Sequence, residues 1–230
     1  LPNLPGPLKS KDFILKLIKA ESNWNPRAVS SAKAWGLGQF KAFARQDLAD
    51  KRDPDFDAFN AMKSINGIPQ YLGLVQNYIT EKNKKNKYAK AMWDVASDDE
   101  KARIILYAYQ QGVGGGWGEI ANKIGASVVA GAILPTDHRA MLDTYFQNRT
   151  KFYEKYRSKK NPKKDPDYVN KIIGPPTPGR LVPKQIAAPR GMPTGVKEMK
   201  KVDLEKLVLE VIKEAASDRY SSYPYGSNVK

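Results

Sequence analysis

The chain contains no cysteine, and this absence excludes several kinds of chemistry. Without thiols there is no disulfide, no thiolate nucleophile and no cysteine ligand for a metal ion. A single histidine, His138, cannot build the multi-histidine sites typical of zinc enzymes, and we expect it to be structural. No Gly-x-Ser-x-Gly segment is present to suggest a serine hydrolase. We therefore expect a protein that works without a metal or another cofactor.

Long apolar runs are also missing. No stretch approaches the roughly 18 apolar residues that a membrane-spanning helix needs, so we predict no membrane span. No signal peptide is visible, and the chain begins with Leu1 and not with methionine, so we expect a processed product or a fragment. At 230 residues it can form one sizeable domain with an appendage.

Positive charge is the most unusual property that the chain does have. Lysine and arginine number 39 against 24 acidic residues, which gives a net charge of +15. Such a protein is attracted to polyanions, including nucleic acid, anionic membranes and bacterial cell walls. Two basic clusters stand out, at residues 81–90 and 151–171. We interpret them first as solvated helix ends or loops, and second as a surface that attracts an anionic partner.

The hydrophobic pattern predicts a mainly α-helical domain with little or no sheet. Ser10 is a candidate N-cap for a helix whose apolar stripe is Phe13, Ile14, Leu17 and Ile18, and Pro26 prevents that helix from continuing. Helical spacing recurs over residues 56–80, with an interruption expected near the glycine and proline at 67–69. Further helices are expected near residues 34–46 and 136–157.

A second helix start has a stronger signal. Ser97 and Glu100 have the spacing of a capping box, in which each side chain binds the backbone N–H of the other. The helix that follows is apolar nearly all round, so we predict that it is the buried central helix of the domain. It ends at a glycine-rich stretch, residues 112–118, where sharp turns are permitted.

Composition divides the chain into three parts. Residues 1–158 carry the helical pattern of the domain. Residues 159–195 are basic and rich in proline and glycine, which is typical of a linker or extended arm. Residues 196–230 contain one amphipathic helix pattern and a polar tail, and a helix with one apolar face needs a surface on which to dock. We expect residues 174–230 to have no catalytic role and either to attach the domain to a larger assembly or to cover the core of the domain itself.

Glu21 is the candidate for chemistry. It follows Leu17 by four residues and therefore lies on the buried face of its helix, near the C-terminal end. Burial and the negative end of the helix dipole both raise the pKa of a carboxyl group, which suits a general acid. The alternative interpretation is a glutamate that caps the helix or forms a salt bridge with Lys19 or Arg27. Other carboxylates, the five aspartates between positions 47 and 57, are interpreted as solvated surface.

Three segments carry a resemblance to a known family. They are Glu21-Ser-Asn-Trp-Asn-Pro-Arg-Ala-Val-Ser30, Gly36-Leu-Gly-Gln39 and Ala108-Tyr-Gln-Gln-Gly112. Together they resemble the Glu-Ser-x-x-Asn-Pro-x-Ala-Val-Ser, Gly-Leu-Met-Gln and Ala-Tyr-Asn-x-Gly segments of the lytic transglycosylase family of the lysozyme superfamily. The resemblance covers about residues 8 to 158 and implies a lysozyme-like helical domain close in fold to goose-type lysozyme.

The resemblance implies a role for each matching residue. Glu21 would be the catalytic acid and base, and Ser30 the serine whose hydroxyl meets Glu21 and the substrate. Gln39 would line the sugar cleft, as would Tyr109 of the Ala-Tyr segment. Ser22, beside Glu21, is expected to contact substrate as well.

Two positions depart from the family pattern, and three aromatic residues remain to be placed. Gly38 stands where methionine is usual, which removes an apolar wall of the cleft, and Gln110 stands where asparagine is usual. The family also places a tyrosine from a following helix at the site, for which Tyr145 and Tyr153 are the candidates. We expect Trp117, in the glycine-rich stretch, to be partly exposed to the cleft.

The function that follows is degradation of peptidoglycan, at the bacterial cell wall, in the periplasm or outside the cell. Glu21 alone would cleave the β-1,4 bond between N-acetylmuramic acid and N-acetylglucosamine with assistance from the substrate itself, giving either a 1,6-anhydro sugar or a hydrolysed product. The Gly-Leu-Gly-Gln-Phe segment and the Gln-Gly after the central helix resemble virion-associated muramidases of bacteriophages more than housekeeping bacterial enzymes. The alternatives are an inactive structural or nucleic-acid-binding virion protein, and a chitinase- or chitosanase-type glycosidase.

Overall fold

The computed structural model describes residues 4–159 and 168–175, with only the backbone given for residues 150–159. A short 3-10 helix, Gly6–Lys9, precedes eight α-helices, and a π-helical turn, Gly114–Gly118, separates the fifth from the sixth. The α-helices are α1 (Lys11–Ser22), α2 (Ala42–Lys51), α3 (Ala61–Lys85), α4 (Lys87–Val95), α5 (Asp98–Gln111), α6 (Glu119–Val129), α7 (His138–Lys159) and α8 (Tyr168–Ile173).

The prediction of a mainly α-helical fold is confirmed. In the part of the chain that the structure describes, β-structure is limited to isolated bridges that join Trp35 to Val29 and to Phe40. No helix in this part is both long and apolar enough to cross a bilayer. The predicted docking helix, in residues 196–230, lies outside the described residues.

Helix α1 forms as its sequence predicts. The Ser10 side chain accepts a hydrogen bond from the backbone N–H of Phe13, which caps the helix. The apolar stripe is buried in the core, with Leu17 and Ile18 fully inaccessible to solvent. The helix ends at Asn23, whose backbone is left-handed and whose N–H bonds to the carbonyl of Lys19.

Helix α5 lies at the centre of the domain, in agreement with the sequence. The capping box of Ser97 and Glu100 is present in full. Glu100 is buried, and its Oε1 lies 2.7 Å from a guanidinium nitrogen of Arg139, so the same carboxylate also joins α5 to α7. Helices α3 and α8 and the π-helical turn pack around α5.

Helix α3 differs from the prediction, because it runs unbroken through Gly67 and Pro69. Proline inside a helix removes one hydrogen bond and glycine weakens the helix, which is why the sequence suggested an interruption. Tertiary packing overrides both effects. Ile68 and Leu72 are fully buried, and a side chain at Gly67 would lie only 2.6 Å from the ring of Phe56.

The glycine-rich stretch does not expose its tryptophan, which is a second correction. Trp117 is fully buried, and its ring packs against Trp93 and Tyr145. Its indole N–H donates to the Oδ1 of Asn83 on α3 at 2.8 Å, which satisfies the only polar group of the ring. Trp117 is therefore a core residue, and it does not contact the cleft.

The domain also extends beyond the predicted boundary at residue 158. Helix α8 lies within the segment predicted as linker, yet Tyr168, Val169 and Ile172 are buried in the hydrophobic core. The side chain of Arg103 on α5 donates to Asn170 and to the carbonyl of Gly174, both at 2.8 Å, and so fixes α8 to the domain. The linker prediction for residues 159–195 is therefore wrong for residues 168–174.

Replacing Asn83 by alanine tests the hydrogen bond that the buried indole N–H of Trp117 donates to Asn83. The variant leaves a buried indole N–H without an acceptor, and we expect it to lower the free energy of unfolding by about 1–3 kcal/mol. The exposed Asn77, on the same helix, provides the matched control, and Asn77→Ala is expected to change stability little. Urea denaturation of both variants measures the difference, and equal stabilities would contradict the assignment.

Candidate active site

Glu21 occupies the last turn of α1, at a point where the chain leaves the helix through a strained turn. Asn23 and Trp24 have φ angles of 49° and 69°, so two successive residues are left-handed. Such a conformation is uncommon for a bulky residue and is found chiefly where the surroundings enforce it. The turn carries the chain away from the helix axis directly after Glu21.

The carboxyl group of Glu21 lies in an environment that favours its protonated form. Although the residue keeps partial exposure to solvent, its carboxyl group is largely enclosed by protein, and burial raises its pKa from 4.5 to about 7. The Tyr168 hydroxyl donates a hydrogen bond to Oε1, and the positive charge of Lys41 acts on the same group. Both lower the pKa, but burial has the larger effect.

A tight loop, residues 28–40, lies after the strained turn and presents the glutamine predicted from the family pattern. Gly36 has a φ of +73°, and a side chain there would lie 1.8 Å from the carbonyl oxygen of Ala58, so only glycine fits. Gln39 is also left-handed, and its Nε2 donates to the carbonyls of Ala28 and Gly36 at 3.2 and 3.0 Å. These bonds use the amide nitrogen and leave Oε1 as the atom available to a ligand.

Trp35 and Arg45 fix this loop to α2. The guanidinium carbon of Arg45 lies 3.6 Å from the centre of the Trp35 ring, a cation–π contact, and Nη1 donates to the carbonyl of Phe40 at 2.7 Å. Phe59 stacks on the same tryptophan, with ring centres 5.0 Å apart. The loop therefore has a defined shape before any ligand binds.

The two serines do not take the positions expected of them. Ser30 Oγ accepts a hydrogen bond from the backbone N–H of Ala34 at 3.1 Å, and within the described residues no hydrogen bond joins it to Glu21. Ser22 is buried, and its hydroxyl donates to the carbonyl of Ile18 at 3.0 Å. The Ser22 hydroxyl is therefore occupied within its own helix, while Ser30 shapes the loop.

Tyr109 links the loop to the central helix. Its hydroxyl donates to the carbonyl of Gly38 at 2.5 Å, and burial, together with the nearby charge of Glu21, raises its pKa well above 10. The hydroxyl therefore stays protonated at any physiological pH. The missing methionine side chain at Gly38 leaves no gap, because a Cβ there would lie 2.6 Å from the ring of Phe40. The ring of Phe40 fills that space.

A cleft of about 480 Å³ opens beside these residues. Glu21 does not line it, but Lys41 and Tyr109 do, and both interact electrostatically with Glu21. At the end of α5 the cleft is lined by Gln111, while Gln110 accepts a hydrogen bond from the Gln111 amide at 3.2 Å. The amide predicted at the cleft is therefore supplied by the next residue. The remaining lining residues are Phe43, Tyr71, Tyr78, Glu81, Lys82, Lys85, Ala108, Gly112, Val113 and Gly114.

Of the two tyrosines proposed from the sequence, only Tyr145 has a described side chain, and that side chain does not lie at Glu21. Tyr145 is fully buried beside Trp117, and its hydroxyl donates to the carbonyl of Gly116 at 2.8 Å. The side chain of Tyr153 lies outside the described residues. The tyrosine that does reach the carboxyl group is Tyr168. The apolar residues Tyr168, Val169, Ile172 and Ile173 recur at helical spacing, a signal that could have identified a docked helix.

The aspartates are solvated, as interpreted, with one exception. Asp47 is buried and accepts hydrogen bonds from Lys51 Nζ at 2.5 Å and from the Tyr78 hydroxyl at 2.7 Å. Its position on the inner face of α2 explains the difference. No aspartate is among the groups that act on the pKa of Glu21, and no acidic or histidine cluster in the described residues could hold a metal ion.

The raised pKa of Glu21 predicts a pH-dependent effect of Glu21→Gln on stability. Between pH 4.5 and about 7 the unfolded chain releases a proton that the folded protein retains, so folding loses stability as the pH rises through this range. The glutamine of the variant does not ionise, so the variant does not lose this stability. Its free energy of unfolding relative to that of the wild type should therefore increase by up to about 3 kcal/mol between pH 4.5 and pH 8.

Urea denaturation at the two pH values measures this effect. The matched control is Glu119→Gln on α6, because Glu119 is exposed and paired with Lys123. The control should show a nearly constant difference from the wild type. A constant difference for Glu21→Gln would mean that Glu21 ionises normally.

Comparison with known proteins agrees with this geometry. Residues 8–124, half of the chain, match the family described as transglycosylase SLT domain. No curated protein and no solved structure matches the chain significantly. The match includes Glu21, the loop with Gln39 and the helix with Tyr109, but it ends before α7 and α8. The chain thus belongs to the transglycosylase SLT domain family, whose members are enzymes that degrade peptidoglycan.

Proposed function

We propose that this protein cleaves the β-1,4 bond between N-acetylmuramic acid and N-acetylglucosamine, with Glu21 as its single catalytic acid and base. The observation that carries the proposal is a glutamic acid with a pKa of about 7, enclosed at the end of α1 and hydrogen-bonded by Tyr168. A general acid works best when its pKa is near the working pH. Near neutral pH, Glu21 is protonated in about half of the molecules.

Cleavage begins with transfer of the Glu21 proton to the glycosidic oxygen. The bond from that oxygen to the anomeric carbon breaks, and positive charge develops on the sugar ring. The carboxylate that remains is stabilised by the Tyr168 hydroxyl and by the charge of Lys41. Tyr168 is therefore a positioning residue that also favours the ionised form.

The second step returns the proton to Glu21. The 6-hydroxyl of the muramyl sugar attacks the anomeric carbon, and the carboxylate accepts the hydroxyl proton, which gives a 1,6-anhydro sugar without consuming water. Water attacking in the same way gives hydrolysis. No second carboxylate is required, because either the substrate or water supplies the nucleophile. We expect Gln39 Oε1, which its own hydrogen bonds leave available, and Gln111, which lines the cleft, to contact the sugars.

Glu21→Gln should abolish cleavage of purified peptidoglycan. The amide has nearly the same shape but cannot donate a proton to the leaving oxygen, and loss of a general acid lowers the rate by about 10² to 10⁴-fold. Glu119→Gln is the control for removing one carboxylate elsewhere. Mass spectrometry of the products distinguishes anhydro from hydrolysed ends. If Glu21→Gln kept native turnover and native circular dichroism, another group would be the acid.

Tyr168→Phe tests the hydrogen bond to Glu21 through the pH profile. The wild-type rate should fall as the pH rises through about 7, because the acid form of Glu21 is lost. The Tyr168 bond lowers this pKa, so its removal should move the falling limb to higher pH. Tyr88→Phe, on α4, provides a control tyrosine that packs against Gly125. An unshifted limb in Tyr168→Phe would show that the hydroxyl does not act on Glu21.

We also propose that the enzyme belongs to a bacteriophage particle and that residues 176–230 attach it there. Support comes from the sequence alone: the Gly-Leu-Gly-Gln-Phe segment, and an amphipathic pattern in residues 202–216 that needs a surface to dock on. The residues to which we assign catalytic or sugar-binding roles, Glu21, Gln39, Gln111 and Tyr168, all precede residue 176, so removal of this segment deletes none of them.

Deleting residues 176–230 should therefore preserve cleavage of soluble wall fragments and abolish co-purification with phage particles. Turnover of the fragments and immunoblots of purified particles measure the two effects. Particles that retain the shortened protein would contradict the attachment role, and a folded but inactive variant would show that the segment contributes to the active site.

A further inference from the structure

The cleft beside Glu21 is lined by parts of the chain that are distant in sequence. Tyr109 and Lys41, which interact electrostatically with Glu21, share it with the last turns of α3. There Lys82 and Lys85, one helical turn apart, both line the cleft. The cleft therefore joins the proposed catalytic region to a strongly cationic region.

Its cations are not neutralised by the protein. Among the residues that the structure describes, no ion pair is formed by Lys41, Lys82 or Lys85. The neighbouring Lys84 differs, since its Nζ lies 2.6 Å from the carboxylate of Glu81. Among the lining residues that the structure describes, Glu81 is the one acidic residue, and this pair already compensates its charge. The cleft therefore presents a net positive charge to whatever enters it.

Aromatic side chains form the walls between the cations. Phe43 is 64% exposed, although such a large apolar side chain is usually covered. The centre of its ring lies 6.2 Å from that of Tyr78, and the ring of Tyr71 packs against that of Tyr109, with centres 5.5 Å apart; all four rings line the cleft. A ligand that fits must offer apolar surface for these rings together with negative charge for the lysines.

We propose that this part of the cleft binds the carboxylate-bearing substituent of peptidoglycan, with Lys41, Lys82 and Lys85 as its recognition residues. In peptidoglycan every muramic acid carries a lactyl group, to which a short peptide with free carboxylates is attached. Chitin has the same sugar backbone and the same linkage but neither group. The lysines therefore determine that the enzyme prefers peptidoglycan to an uncharged glycan.

The inference rests on the proposed function, because the ligand is part of the glycan that Glu21 cleaves. It follows from the shared cleft: a substituent on a sugar bound near Tyr109 lies in the same cleft as Lys82 and Lys85. A free polyanion such as nucleic acid would use the charge but would not explain why the cations share a cleft with residues that interact with Glu21. Charge complementarity of this kind contributes chiefly to specificity.

The experiment compares two double variants that lose the same charge. Lys82→Gln with Lys85→Gln removes cations of the cleft. Lys87→Gln with Lys90→Gln removes two nearby lysines that do not line it, one over the ring of Tyr88 and one paired with Asp94. Dissociation constants are measured by calorimetry for three tetrasaccharides: one with its peptides, one with the peptides removed but the lactyl carboxylates retained, and chitotetraose. Every protein in this comparison, the wild-type reference included, also carries Glu21→Gln, so that the glycans are bound but not cleaved.

We expect the cleft variant to weaken binding of the peptide-bearing glycan by roughly 4- to 20-fold, since one exposed ion pair contributes roughly 2- to 5-fold. Binding of chitotetraose should be unchanged, and the control variant should bind all three ligands like the wild type. Weakening confined to the peptide-bearing glycan assigns the lysines to the peptide carboxylates. Weakening that persists without the peptides assigns them to the lactyl carboxylate, and either result supports the proposal.

Three outcomes would overturn it: unchanged binding in the cleft variant, equal weakening for chitotetraose, or equal weakening in the control variant. A single-stranded oligonucleotide provides the remaining probe. If only its binding depended on Lys82 and Lys85, the region would be a nucleic-acid site and the proposal would be wrong. Cleavage of peptidoglycan by the wild type is measured in parallel, so that retained cleavage with lysine-independent binding refutes this inference alone. Absence of cleavage refutes the proposed function itself.

Discussion

The site depends above all on the exclusion of water from one carboxyl group. Glu21 stands at the end of a helix whose other inward-facing residues form the core, so the same burial that stabilises α1 also raises the pKa of Glu21. If the group were fully exposed, it would be ionised at neutral pH and could not donate a proton. Tyr168 and Lys41 then moderate the effect of burial and keep the pKa near 7 instead of higher.

The surroundings of Glu21 are rigid because several independent contacts fix them. A left-handed turn directs the chain away from α1. The loop that follows is fixed to α5 by the hydrogen bond from the Tyr109 hydroxyl to the carbonyl of Gly38, and to α2 by Arg45. Backbone strain of this kind persists only where packing enforces it. Preorganisation of this loop means that little conformational entropy is lost when a sugar binds.

Positive charge has two roles in this chain that the net value of +15 does not distinguish. Lysines such as Lys16, Lys90 and Lys123 each form an exposed ion pair with a carboxylate of their own helix, and such pairs contribute little to stability. Lys41, Lys82 and Lys85 instead line a cleft with aromatic walls. Sequence spacing accounts for the paired lysines, each of which has a carboxylate four residues away, but only the fold brings the other three to one cleft.

The sequence by itself determined the helical class, the cap of α1, the capping box of α5 and the candidacy of Glu21, because each depends on local spacing along one helix. Tertiary structure decided the rest. Whether Trp117 faces solvent depends on Asn83, Trp93 and Tyr145, which are distant in sequence. The partner of Glu21 is Tyr168, 147 residues away, and no pattern near Glu21 specifies that contact. Burial and long-range pairing are properties of the packed chain, so they could be read only from the fold.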